Sequence, residues 1–431
     1  MTDILFTNAR VIDPSQNVDC VCDVLCKNGK IALVGTNIVC ENARKIDASG
    51  LILAPGLVDI HTHLRDPGFT AKEDIYTGCA AAAAGGVTTL CAMPNTNPVC
   101  DTPETVQYVL EKAKNAKARV LPVAAITKGL HGETLSDMEA LAAAGACAFS
   151  DDGVPVATAD LMRQAMEKAA ALNLPILAHT EDKSLSGKGI MNHCALAERL
   201  SAEGIPNSAE DVGTAREIAL LMSAPENTRL HICHVSTAGS AALIADAKKR
   251  GLHITAETCP HYFMFTDEKL SAKDADYRMN PPLRSEADRC AVRQALLDGT
   301  LDAIVTDHAP HTVAEKSDFY KAPNGVIGME TSFAASYTVL VRNGAMTVSE
   351  LLRRMSYVPA QILGVDAGTL RVGAQADLLL IDENEAWTVD VHELHGKSKN
   401  CVFKNCTLQS KVKMTVLNGE IVYDELTKGN E

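Results

Sequence analysis

From Gly56 onward the chain alternates short β-branched runs with longer helical stretches rich in Ala, Leu and Lys, an alternation that few folds can accommodate. The runs are LVDIHTHL, VTTLCAMP, RVLPVAAIT, ACAFSDD, PILAHTED, LHICHVS, HITAETCP and AIVTDHAP, eight in all. Helical stretches fill most gaps, among them Pro103 to Lys117, Ala159 to Leu172, Ala209 to Met222, Thr237 to Arg250 and Ser285 to Leu297. Repeated strand-helix units argue for a parallel sheet. Eight of them in this length of chain fit an α/β fold of the (β/α)8 TIM-like barrel type, whose functional residues gather at the C-terminal ends of the strands. A doubly wound open sheet is the alternative. No Gly-rich phosphate loop follows any strand, however, so the fingerprint of a dinucleotide fold is missing.

The two ends follow a different pattern. ILFTNARVI, CDVLCKNG, KIALVGT and ARKIDASG near the start, and ADLLLIDEN (Ala376 to Asn384) and KMTVLNGEIVYD (Lys413 to Asp424) near the end, alternate apolar and polar residues. Asn28-Gly29 and Asn418-Gly419 mark tight hairpins between such strands. The expectation is one small β-sandwich layer formed by both termini, residues 1–54 and 366–431, beside a barrel of residues 55–365.

Charge and composition narrow the partners. In 431 residues, 40 Lys and Arg against 54 Asp and Glu leave a formal charge of −14, which opposes binding to a polyphosphate backbone. Nucleic acid is therefore not an expected partner. The longest apolar stretch, around Cys79 to Met93, is broken by Gly85, Gly86, Thr88 and Thr89, so no membrane span is expected. The opening MTDILFTNARVID has acidic and polar residues where a secretory leader needs a basic start and an apolar block. Most of the 14 cysteines sit in apolar segments, as Cys91, Cys147 and Cys233 do, and read as reduced thiols of a cytoplasmic protein. The close spacing of Cys20, Cys22 and Cys26 has no second pair at zinc-finger distance.

The strand ends carry the chemistry. Strand one ends in His61-Thr62-His63, and alternation along a strand turns both imidazoles to one face. Strand four ends in Asp151-Asp152, strand five in His179, strand six in His234 and strand eight in Asp307. A lone histidine at a strand end is more often a hydrogen-bonded structural residue than a ligand. Four strand ends with a His or Asp, and a fifth with His-x-His, are hard to explain that way. Four imidazoles and two carboxylates on one rim suit zinc or a similar divalent ion, and a carboxylate among them could bridge two. His131, His193, His231, His253, His392 and His395 read as structural or exposed.

With these residues in place, the chain resembles the type I bacterial dihydroorotases of the amidohydrolase superfamily. The motifs are APGLVDIHTHLRDPG (Ala54 to Gly68), CAMPNTNP (Cys91 to Pro98), FSDDG (Phe149 to Gly153), AHTED (Ala178 to Asp182), CHVST (Cys233 to Thr237), MNPPLR (Met279 to Arg284) and TDHAPHT (Thr306 to Thr312). VDIHTHL is shared across the superfamily, whereas HLRDPG, MPNT, NPPLR and DHAPH together favour dihydroorotases. LRVGAQADLLLID looks like the superfamily's return into the β layer. The resemblance implies one or two zinc ions per subunit, the binuclear form having His61, His63 and Asp307 on one ion and His179 and His234 on the other. Relatives often bridge the ions with a carboxylated lysine; here the second aspartate of the Asp-Asp-Gly stretch, Asp152, is the implied bridge, and Asp151 a packing or capping group. His63, Arg65, Asn95, Asn280 and His311 match substrate contacts, and Asn324 and Gly325 match a loop offering backbone groups. The family often has an aromatic at the position of Asn324. His261 has no assigned role.

The implied reaction is a reversible cyclisation of N-carbamoyl-L-aspartate to (S)-dihydroorotate and water in pyrimidine biosynthesis. A metal lowers the pKa of bound water from about 15.7 toward neutrality and polarises the ring carbonyl. Asp307 would take the proton and pass it to the departing nitrogen, one residue used as base and then acid. Arg65 lies two residues beyond His63, on the same face if strand geometry persists, where a guanidinium can hold the substrate carboxylate through two parallel bonds. The resemblance also implies a homodimer and association with the preceding pathway enzyme, aspartate transcarbamoylase. The alternatives are another cyclic-amide hydrolase (a hydantoinase, dihydropyrimidinase or allantoinase) and a catalytically inactive scaffold.

Overall fold

The computed structural model describes residues 2–427. The amino-terminal strands are β1 (Ile4–Asp13), β2 (Val18–Lys27), β3 (Lys30–Gly35), β4 (Arg44–Asp47) and β5 (Ile52–Pro55). The barrel strands are β6 (Leu57–Thr62), β7 (Val87–Ala92), β8 (Arg119–Ala125), β9 (Ala148–Ser150) and β10 (Ile176–Ala178), then β13 (Leu230–Ile232), β14 (Ile254–Thr258) and β15 (Ala303–Ile304). Between the fifth and sixth barrel strands a side excursion holds the short parallel pair β11 (Met191–Asn192) and β12 (Gly204–Ile205). The chain ends with β16 (Leu378–Thr388), β17 (Thr407–Leu417) and β18 (Glu420–Asp424).

All eight expected barrel strands form, in the spatial order β15-β14-β13-β10-β9-β8-β7-β6, and every neighbouring pair is parallel. The ring closes through a parallel bridge between Thr62 and His308, with the His63 amide donating to the His308 carbonyl at 2.8 Å. Asp59 joins the same seam, accepting from Thr306 Oγ1 at 2.6 Å. Every residue of β6 and of β7 is buried, as a parallel sheet covered on both faces requires. Side-chain caps begin the intervening helices. Thr102 accepts from the Thr105 amide, with Pro103 in the first turn of Pro103–Ala113, and Thr237 accepts from Ser240 ahead of Ala238–Lys249.

The two chain ends make one eight-stranded sheet, in the order β18-β17-β16-β5-β1-β2-β3, with β4 also on β1. Both Asn-Gly pairs turn hairpins with positive φ at each residue, 51° and 76° at Asn28-Gly29 and 49° and 78° at Asn418-Gly419, the geometry that matches strand twist. Alternation divides the sheet between two cores. Phe6, Val24, Leu53, Leu380, Met414 and Val416 enclose a core of their own, whereas Ile52, Ala54, Leu379, Ile381 and Val412 join the large core of the barrel. Gly86, with φ of 83°, lies where a Cβ would stand 2.6 Å from Leu379, so the layer sits hard against the turn ahead of β7. The loop joining β16 to β17, residues 389–406, leaves the layer and crosses to the barrel.

Candidate metal centre

Six of the sequence-selected residues meet at the C-terminal rim. His61 lies in β6 and His63 just past its end, Asp152 two residues beyond β9, His179 next after β10, His234 two beyond β13, and Asp307 three beyond β15. Each is at most 6% exposed. Asp152 is central: its Oδ1 lies 3.4 Å from His61 Nε2, 3.3 Å from His179 Nδ1 and 3.4 Å from His234 Nε2. Its Oδ2 faces the other way, 3.3 Å from His63 Nε2. Oδ1 of Asp307 stands 3.1 Å from His63 Nε2 and 3.7 Å from His61 Nε2.

These spacings suit a divalent ion. A tetrahedral ion with bonds of about 2.0–2.1 Å sets its ligand atoms about 3.3–3.4 Å apart. His61 Nε2 and Asp152 Oδ1 are both buried without a hydrogen-bond partner, a state that costs about 1–3 kcal/mol per group unless a cation satisfies it. His61, His63 and Asp307 form one compact donor group, and His61, Asp152 and His234 another. The residues present therefore fit the expected metal.

Three of the imidazoles are fixed in the tautomer that turns a lone pair inward. His61 Nδ1 donates to Glu257 Oε1 at 2.6 Å, His63 Nδ1 to Asn95 Oδ1 at 2.8 Å, and His179 Nε2 to Glu181 Oε2 at 2.9 Å. Burial pushes the Glu257 carboxyl up, but His231 and His61 outweigh it and hold the group at about 2. Burial likewise opposes ionisation of Asp152, and His61, His179 and His234 hold it well below the usual carboxylate range. Glu181 Oε2 also accepts from Lys183 Nζ at 2.6 Å and from Asn280 Nδ2 at 3.0 Å.

Glu257 and Glu181 escaped the sequence reading, although both lie in quoted motifs. A carboxylate in HITAETCP, a strand buried on both faces, must be paired, and that anomaly was the available signal. His231 is buried rather than exposed and completes the arrangement, its Nε2 2.9 Å from Glu257 Oε2. Asp151 points away from the cluster and accepts from the Ile126 and Thr127 amides at 2.8 and 3.0 Å, while burial pushes it up to about 6. His261 is buried with Nε2 unpartnered and its ring 4.2 Å from that of Tyr262; burial lowers it to about 4.

A cavity of about 300 Å³ opens over the centre, lined by His63, Asp152, His179 and Asp307, by Arg65, Asn95, Asn280, His311, Asn324 and Gly325, and by Lys183. All the expected substrate contacts thus border one space. Arg65 reaches it by another route than the one expected, because regular strand geometry ends at Thr62 and Arg65 has φ of 61°. His234 and Asp307 share this left-handed backbone, at 34° and 45°, which side-chain-bearing residues rarely adopt outside sites that require it.

Arg65 Nε donates to the Pro310 carbonyl at 3.2 Å, and a terminal nitrogen lies 3.4 Å from His311 Nε2. Burial lowers the guanidinium to about 10, so it remains charged at neutral pH. Burial, together with Arg65, Lys72 and Lys316, pushes His311 down to about 3, leaving the ring neutral. Lys72 Nζ, 3.2 Å from Nδ1, can only donate, so the ring proton sits on Nε2 and points to the Asn324 carbonyl at 2.8 Å.

A model of the Dihydro-orotase-like family matches residues 50–240, the span that includes His61, His63, Arg65, Asn95, Asp152, His179 and His234. The chain is 48% identical over 426 residues to a dihydroorotase of Syntrophus aciditrophicus (strain SB), covering 98% of this chain and 99% of the relative. It is 46% identical over 424 residues to a dihydroorotase of Geobacter metallireducens, with 98% and 99% covered. Among solved structures, the L-hydantoinase (dihydropyrimidinase) of Arthrobacter aurescens superposes with a TM-score of 0.88 at 25% identity, covering 99% of this chain and 97% of the other.

Proposed function

Because the chain belongs to the dihydroorotase family, a group of cyclic-amide hydrolases, we propose that this cavity interconverts N-carbamoyl-L-aspartate and (S)-dihydroorotate over two zinc ions. His61, His63 and Asp307 would hold one ion and His179 and His234 the other, with Asp152, whose Oδ1 faces His61, His179 and His234 and whose Oδ2 faces His63, as a ligand they would share. Zinc bound there supplies a Lewis acid and brings the pKa of water from about 15.7 toward 7.

The chain's own groups do the rest. Burial raises the Asp307 carboxyl, but His63, His61 and His234 outweigh it and hold the group below its ordinary range, so it is ionised at neutral pH. An ionised carboxylate lining the cavity can take a proton from water as the oxygen adds to the ring carbonyl, then deliver it to the ring nitrogen as the C–N bond breaks. In the closing direction it takes the proton from the ureido nitrogen and returns it to the departing oxygen, which leaves as water with a second proton that the substrate's ionised side-chain carboxylate has taken from solvent. Arg65 binds the substrate carboxylate. Asn95 and Asn280 each use one polar atom to hold a neighbouring side chain and keep the other for the ring or ureido group.

Arg65 is the observation that carries this reading. Among the described residues it forms no salt bridge; its Nε donates to the Pro310 carbonyl, and the protonated Nε2 of His311 is a neighbour rather than an acceptor, so a positive charge faces the cavity with no carboxylate in ion-pair contact. A neutral ring has no need of it, which favours a carboxylate-bearing substrate over hydantoin, dihydrouracil or allantoin. The Asp-Asp-Gly stretch in place of the bridging lysine of those relatives points the same way. Family membership supports a place in de novo UMP synthesis, a cytoplasmic location and a homodimer able to associate with aspartate transcarbamoylase. No helix among the described residues is long and apolar enough to cross a membrane. The test is a substrate panel on purified protein with metal quantified in parallel. Turnover of dihydroorotate with bound zinc is expected, and comparable turnover of hydantoin or allantoin with none of dihydroorotate would overturn the reading.

A further inference from the structure

The loop of residues 389–406 brings into the barrel a side chain that does not line the cavity yet holds two of the segments that do. Asn400 is 3% exposed. Its Oδ1 accepts from the His311 amide at 3.2 Å, and its Nδ2 donates to the Ala309 carbonyl at 3.3 Å and to the Gly325 carbonyl at 3.0 Å. Its own carbonyl accepts from the Ile327 amide at 3.0 Å. One residue thus ties the segment after β15 to the segment around Gly325, and both supply cavity walls, Ala309 and His311 on one, Asn324 and Gly325 on the other.

These segments touch without slack. At Gly325, with φ of 140°, a Cβ would stand 2.7 Å from the Ala309 oxygen and 2.9 Å from His311 Nε2. A small shift of either segment therefore moves His311, which lies beside the Arg65 guanidinium. Neighbours of Asn400 fasten a third segment. Ser398 Oγ donates to the Lys72 carbonyl at 2.7 Å and Lys397 Nζ to the Thr70 carbonyl at 2.8 Å, while Lys72 itself contacts His311 Nδ1. Only a carboxamide offers an acceptor and two donors from one short side chain, which is what the three contacts of Asn400 require.

We propose that Asn400 is a positioning residue for the wall of the cavity that receives the substrate carboxylate. It acts through Ala309, His311 and Gly325 and hydrogen-bonds to none of the metal ligands. The proposal rests on the dihydroorotase reading for the identity of that carboxylate.

The experiment compares Asn400→Asp, which keeps the acceptor and loses both donations, with Asn400→Ser, each as the full-length zinc-loaded chain. Steady-state kinetics on dihydroorotate, zinc content and thermal unfolding are measured together. The expected result is a KM raised about tenfold, as for loss of buried hydrogen bonds, with kcat within about twofold and zinc content unchanged. With His311→Ala added, KM should rise little further, because both changes disturb one wall. A fall in kcat at unchanged KM, additive effects in the double variant, or failure of both variants to fold with zinc bound would each overturn the proposal. Wild-type protein inactive on dihydroorotate would count against the functional reading, and the same KM and kcat comparison would then be made on whichever ring it opens.

Discussion

Glu257 Oε1 lies 2.6 Å from His61 Nδ1, and the other oxygen of that carboxylate lies 2.9 Å from His231 Nε2. The proton on Nδ1 leaves the Nε2 lone pair of His61 facing oxygens of Asp152 and Asp307 at 3.4 and 3.7 Å. A lone pair aimed at two carboxylates calls for a cation between them, either a proton or a metal ion.

Glu257→Gln keeps an acceptor for Nδ1 but removes the charge behind it. Loss of such a partner lowers metal affinity by about 10–100-fold, and the retained acceptor places this variant near the lower figure. Competition with a zinc chelator measures it. Unaltered affinity would mean that Glu257 serves only to pair His231.

Asp307→Asn should lower kcat by about 10²–10⁴-fold, the usual contribution of a positioned acid-base group. Dihydroorotate binding, followed by calorimetry on protein of verified metal content, should change only a few-fold. A near-normal rate would place the proton transfer on another group.

Arg65→Met should raise KM for dihydroorotate by about 10–100-fold, the scale of charged hydrogen bonds at about 1.5–3 kcal/mol. Affinity for a neutral ring analogue should be far less affected. An equal loss for charged and neutral ligands would remove the carboxylate clamp from the mechanism.

Metal removal by a chelator should abolish turnover and lower the unfolding temperature, since an ion that binds only the folded chain stabilises it by about 2.7 kcal/mol at one hundred times Kd. Added zinc should restore both. An apoprotein with unchanged melting behaviour would argue that no ion occupies the centre.

Lys316 gives a pH dependence away from the metal centre. Burial lowers its ammonium from 10.5 to about 7, and Nζ donates to the Arg278 and Pro323 carbonyls at 3.1 and 3.0 Å. Between these pKa values the unfolded chain binds a proton that the folded chain does not, so stability should climb as pH rises from about 7 to about 10 and be flat below that window. Lys316→Met should remove that climb. Denaturant midpoints at about pH 6.5, 8 and 9.5 decide it, and parallel wild-type and variant curves would refute the assignment.

Much of the molecule could be read from local pattern. The eight barrel strands, the two Asn-Gly hairpins and the pairing of His61 with His63 all follow from alternation within a few residues, because a strand turns every second side chain to one face. Strand ends in a barrel share one rim, so His179, His234, Asp152 and Asp307 could be gathered from their positions alone. Recognition of the family then divided them into roles.

The sequence by itself thus determined the architecture and the residues that gather at the candidate metal centre. Tertiary structure decided what holds those donors in place. Glu257 lies 196 residues from His61, and Asn400 lies 89 from His311 and 75 from Gly325; their pairing depends on barrel closure and on the path of a loop from the terminal layer. The left-handed backbone of Arg65, His234 and Asp307 also lies outside local preference, which disfavours it for residues with a Cβ. Periodicity tells which face a residue shares with its neighbours in the chain. Which distant group completes a hydrogen bond is set only when the folded chain fixes both ends.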